Sequence, residues 1–126
     1  MTSEILIRGG TLVTATDSCK AELLIRDGKI VEIGTNLATT GRILDASDQL
    51  VMPGGIDTHV HLSHPIDSLG SKTADDFSTG TVAAACGGVT TFIDFAQQRP
   101  GHSLTETRDR RLKEVEVDAV IDYSLT

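Results

Sequence analysis

The stretch from Gly55 to Thr126 alternates short apolar runs with capped helical ones, in the order β-α-β-α-β. Connections that long cannot close a tight hairpin, so the strands they join run parallel, with right-handed crossovers. "GGIDTHVHL" reads as a short apolar strand entered through glycines. "TADDFSTGTVAAACGG" then reads as a helix. Thr73 is a candidate cap, Asp75 and Asp76 suit its positive start, and Gly87-Gly88 supplies the stop. Phe77, Thr81, Ala84 and Ala85 share one face at helical spacing, and Cys86 reads as a small core residue beside them. "VTTFIDFA" is a continuous β-branched and aromatic run, expected of a parallel strand covered on both faces. Its Asp94 reads as a cap for a neighbouring backbone amide, favoured over a carboxylate supporting a metal ligand. "SLTETRDRRLKEVEV" opens on the capping box Ser103-x-x-Glu106, and its "RDRR" reads as a solvated helix face. "DAVIDYSL" reads as a third buried strand.

Before Pro53 the pattern is β structure. "EILIRGGTLVT" suggests two short strands around a Gly9-Gly10 turn or bulge. "AELLIRDGKIVEIG" places Asp27-Gly28 between two β-rich runs, the dipeptide that supplies positive φ in a tight hairpin. "GRILDASDQLVMPG" adds a strand and a turn. The segment is too small to close a sandwich alone. The expected division is a β part over residues 1–51 and a βα part over 52–126.

"MPGGIDTHVHL" carries the chemistry. Side chains alternate along a strand, so His59 and His61 share a face, about 6.6 Å apart at the backbone, and their ring nitrogens can converge on one ion. Asp57 lies on that face one step earlier, placed to accept from an imidazole N–H and fix its tautomer. In parallel α/β folds chemistry gathers at the carboxyl ends of strands, where this pair lies. The bare tripeptide also suits two hydrogen-bonded histidines on a half-buried strand. The glycine entry, the βαβ context and the in-phase aspartate favour a metal. His64, just past the strand, is a candidate for substrate contact, weighed against an ordinary loop histidine; His102 reads as solvated.

A formal charge of −7 argues against binding nucleic acid or an anionic membrane surface, both of which need a basic patch. No apolar run approaches a membrane span of about 20 residues, and "MTSEILIRGG" does not read as an export signal. Cys19 and Cys86 show no CxxC spacing, so both are expected as reduced thiols in a cytoplasmic protein.

"LVMPGGIDTHVHL" followed by "TADDFSTGTVAAACGGVTTFIDFA" resembles the N-terminal part of the amidohydrolase superfamily, in its hydantoinase/dihydropyrimidinase branch. The resemblance runs from Ile5 to the end. It implies the first units of a (β/α)8 TIM barrel preceded by strands of a small β-sandwich, incomplete here because such a barrel needs about 250 residues. It further implies that His59 and His61 bind the more buried of two zinc ions, the other ligands being a carboxylated bridging lysine, two later histidines and an aspartate. Lys20, Lys29, Lys72 and Lys113 do not end a buried strand, so the lysine is absent from this chain. The implied reaction opens a hydantoin or dihydropyrimidine ring, a small cyclic amide, to an N-carbamoyl amino acid, in a homo-oligomer. With no catalytic residue expected within these residues, the chain alone is expected to be inactive. Dihydroorotase, allantoinase and a non-catalytic scaffold of the same fold are the alternatives. A scaffold has no reason to keep His59 and His61 in phase with Asp57.

Overall fold

The computed structural model describes residues 3–126, in two compact units: one ends at Pro53 and the other runs Gly54–Thr126. The first unit holds β1 (Glu4–Arg8), β2 (Thr11–Val13), β3 (Ser18–Lys20), β4 (Glu22–Arg26), β5 (Lys29–Gly34), β6 (Arg42–Asp45) and β7 (Leu50–Val51). They form two sheets, in the orders β5-β4-β1-β6 and β3-β2-β7. The turn from β4 to β5 is the Asp27-Gly28 hairpin, with φ of 50° and 76°. Both residues are left-handed, as a type I′ turn requires. Leu6 and Leu24 sit opposite each other on β1 and β4 and are buried, so the hairpin register puts leucine on leucine.

Glu4 ties this unit's edges together. Its carboxylate accepts from the Thr39 hydroxyl at 2.6 Å, the Arg26 guanidinium at 2.8 and 3.1 Å, and the Thr40 backbone N–H at 3.2 Å. The Thr39 hydroxyl first, then Arg26, lower its pKa from 4.5 to about 2. A depressed folded pKa stabilises fully above the unfolded value and is lost as pH falls toward the folded one. Wild-type stability is therefore expected to fall more steeply than that of Glu4→Gln as pH drops from about 4.5 to about 2, read by denaturant midpoints across that window. Parallel pH profiles for the two proteins would contradict the assignment.

The second unit runs β8 (Gly55–Val60), β9 (Pro65–Ile66), β10 (Ser71–Lys72), α1 (Phe77–Cys86), β11 (Val89–Asp94), α2 (Leu104–Asp118) and β12 (Asp122–Leu125). The three long strands form one parallel sheet in the order β12-β11-β8, and β9 and β10 make a small antiparallel pair. Phe77 of α1, Phe92 of β11 and Val115 of α2 are the buried centre, with Val60, Leu62, Tyr123 and Leu125 packed around them. The chain enters β8 through Gly54, where a Cβ would run into the Thr90 side chain. Gly88, at φ 84°, ends α1 in the left-handed conformation that favours glycine. No helix among the described residues is long and apolar enough to cross a membrane.

Three expectations need correction. The cap of α1 is Asp76 rather than Thr73: its carboxylate accepts from the Thr79 backbone N–H at 2.8 Å, and the Thr79 hydroxyl accepts from the Asp76 N–H. Those same Thr79 groups, the backbone first, hold the Asp76 carboxyl below its usual range. Cys86 is exposed rather than in the core, because α1 buries the side that carries Phe77 and Thr81 and Cys86 lies on the opposite side of the helix from Phe77. β12 is half-covered rather than buried. It is an edge strand, so Tyr123 and Leu125 turn toward the core while Asp122 and Ser124 face out.

Candidate metal centre

His59 is the last residue but one of β8, and His61 follows directly after the strand's final residue, Val60. Their imidazoles sit on the same side of the chain, ring centroids 5.1 Å apart and nearly perpendicular, with the two Nε2 atoms 3.2 Å from each other. Both residues are exposed. Two nitrogens held at 2.0–2.1 Å from a tetrahedral ion lie about 3.3 Å apart, so the observed spacing matches that of two nitrogens on one ion. Without a cation, one ring must carry its proton at Nε2 for the other to accept it, since two lone pairs at that distance repel. Among the described residues, no group of three or more His, Cys, Asp or Glu gathers that could hold an ion by itself.

Neighbouring residues set the pair's orientation. The Phe95 ring, just beyond β11, lies 4.6 Å from the His59 ring and 4.9 Å from that of His61, an apolar wall that restricts both imidazoles. The His64 ring stands 4.7 Å from His61. Thr73 secures the loop between them: its hydroxyl donates to the His61 carbonyl and accepts from the His64 N–H, both at 2.8 Å, and its own N–H donates to the His64 carbonyl. Asp57 Oδ1 accepts from the His59 backbone N–H at 3.1 Å, so its hydrogen bond goes to the strand end rather than to a ring. A cleft of about 330 Å³ opens beside His64 and Phe95, walled also by Lys72, Thr107 and Arg111. His102 is exposed.

The residue before Phe95, Asp94, belongs to an ion pair absent from the sequence-based expectations. Asp94 ends β11, fully buried, and its Oδ2 accepts from Arg111 Nε at 2.8 Å and from Arg111 Nη2 at 2.5 Å. Arg111 Nη2 also donates to the Leu62 carbonyl, and Nη1 to Glu114 at 2.7 Å. The guanidinium lies over the Phe77 ring, 4.6 Å from its centroid. "RDRR" is therefore only partly a solvated face: Arg111 turns inward and is 7% exposed. Asp94 caps no backbone amide through its side chain; it is the counter-ion of Arg111. The signal available in sequence was an aspartate in an apolar run, which a buried position forces to find a cation.

Residues 50–122 match the model of the amidohydrolase family. The chain is 52% identical over 103 residues to the D-hydantoinase of Rhizobium radiobacter, covering 82% of this chain and 22% of that protein. It is 42% identical over 127 residues to the dihydropyrimidinase of Rattus norvegicus, covering 96% of this chain and 24% of that one. A D-hydantoinase crystal structure superposes on 99% of the chain with a TM-score of 0.91 at 47% identity, and the matched part is 26% of it. The chain thus spans about a quarter of the length of the relatives it matches.

Proposed function

The chain belongs to the amidohydrolase family, and we propose that the whole protein is a metal-dependent hydrolase that opens small cyclic amides of the hydantoin or dihydropyrimidine type. The observation that carries this is the facing of His59 Nε2 and His61 Nε2 at 3.2 Å, at the carboxyl end of the first parallel strand. In this reading, residues 1–51 contribute to a β-sandwich and 52–126 are the opening units of a (β/α)8 barrel. His59 and His61 are two ligands of a zinc site whose other ligands lie outside these residues, because catalytic zinc takes three protein ligands plus a water.

When bound there, zinc supplies hydroxide at neutral pH and polarises an amide carbonyl. The chain's own residues do the holding. Phe95 restricts the imidazoles and shields one side of the site from water, and Thr73 fixes the loop that carries His64. His64 stands where a bound ring could be contacted, and Asp57 anchors the backbone of His59.

The test is an assay of the whole protein on hydantoin, dihydrouracil, dihydroorotate and allantoin, with metal analysis. Ring opening of hydantoin or dihydrouracil, abolished by a chelator and restored by zinc, is the expected result. Exclusive turnover of dihydroorotate or allantoin would move the assignment within the family, and a metal-free protein inert on all four would overturn it.

A further inference from the structure

We infer that Arg111 is a positioning residue for the imidazole pair, holding the ends of β8 and β11 at a fixed spacing so that His59 and His61 stay aimed at one ion. This rests on the metal reading above. Arg111 reaches from α2 to two strand ends: it donates to the carbonyl of Leu62, which follows His61, and twice to the carboxylate of Asp94, which precedes Phe95. Phe95 in turn packs on both imidazoles. One side chain therefore fixes the residue next to a candidate ligand and the residue next to the wall that both candidate ligands lean on.

Only a planar fork can do this. The guanidinium spends Nε and Nη2 on Asp94, shares Nη2 with Leu62, gives Nη1 to Glu114 and lays its face on Phe77. A lysine ammonium brings the same charge as a single point and cannot span both strand ends. The geometry also separates positioning from charge balance. A buried ion pair can often be replaced by apolar residues of similar volume without loss of stability. Such a replacement would still leave the Leu62 carbonyl without its donor and the strand end free to shift.

The test compares whole wild-type protein with Asp94→Leu/Arg111→Met and with Arg111→Lys. Each is loaded with zinc, titrated with a competing chelator, and unfolded in denaturant without metal. The double variant is expected to unfold near the wild-type midpoint yet surrender zinc at roughly tenfold lower chelator or less, within the 10–100-fold typical of groups that orient a ligand. Arg111→Lys is expected to lose zinc similarly, and it decides the matter if the double variant does not fold. A folded variant that keeps wild-type zinc affinity overturns the proposal. So does failure of both variants to fold, which makes the role purely structural. Wild-type protein that binds no zinc overturns the metal reading itself, so the two failures are told apart by the wild-type titration.

Discussion

Phe92→Ala is expected to destabilise the Gly54–Thr126 unit by about 3–5 kcal/mol, the usual range for emptying a buried aromatic site. Phe92 is 2% exposed on β11, the middle strand of the parallel sheet. Its ring lies 6.3 Å from that of Phe77 and 6.1 Å from that of Tyr123, so truncation strips contacts from α1 and β12 together. A middle strand is hydrogen-bonded on both sides and cannot slide in to refill the hole, which puts the loss toward the top of the range. Domains of ordinary stability hold only about 5–15 kcal/mol in total. Val82→Ala is the control. That residue is 46% exposed on the same sheet's helix α1, and its truncation is expected to stay within about 0.5 kcal/mol. Denaturant midpoints of the whole protein measure both, and a Phe92→Ala loss below about 1 kcal/mol would mean that the core is not centred where the structure puts it.

Phe92 could be found from sequence because its surroundings are local: a β-branched and aromatic run between a glycine stop and a capping box can only be an interior strand. The Asp27-Gly28 hairpin and the Ser103–Glu106 box are legible for the same reason, each being a backbone demand met within four residues. The in-phase spacing of His59 and His61 belongs with them, since a period of two puts them on one side whatever the rest of the chain does. Thr73 and Asp76 show where such reasoning stops. Both are good caps in the same stretch, and the choice was made by the His61 carbonyl and the His64 N–H, which claim Thr73 from across a loop.

Arg111 was out of reach for a stronger reason. In "RDRR" three arginines are chemically equivalent, and only the rotation of α2 against the sheet selects the one that meets Asp94, 17 residues away. The same rotation leaves Arg108 on the surface, paired with Asp109. Phe95 was missed likewise: its position after Asp94 puts it at a strand end, but its packing on both imidazoles depends on how β11 lies beside β8. What sequence leaves open here is which side chains from separate elements meet, and the surroundings of the candidate site are built from such meetings.

His61→Ala is expected to take the opposite course to Phe92→Ala, sparing the fold and removing the chemistry. His61 is exposed, and the bond that Thr73 makes to it goes to the backbone carbonyl, which alanine retains. Folding stability should therefore change by no more than about 0.5 kcal/mol, as for other surface positions. Metal binding should change far more. If the pair holds zinc as proposed, removing one of the two facing nitrogens takes away a direct ligand, so zinc affinity is expected to fall by more than the 10–100-fold typical of a residue that only orients a ligand. Ring-opening activity of the whole protein should fall to background with it. Excess zinc is not expected to restore the rate, because the missing ligand also leaves the remaining imidazole free to pivot against Phe95. His59→Ala should behave alike, whereas His64→Ala should keep the metal and alter only KM or substrate preference. Zinc content after dialysis, circular dichroism and steady-state kinetics on one preparation of each variant separate these outcomes. Full zinc content and activity in His61→Ala would mean that the two rings face each other for a reason other than a shared ion.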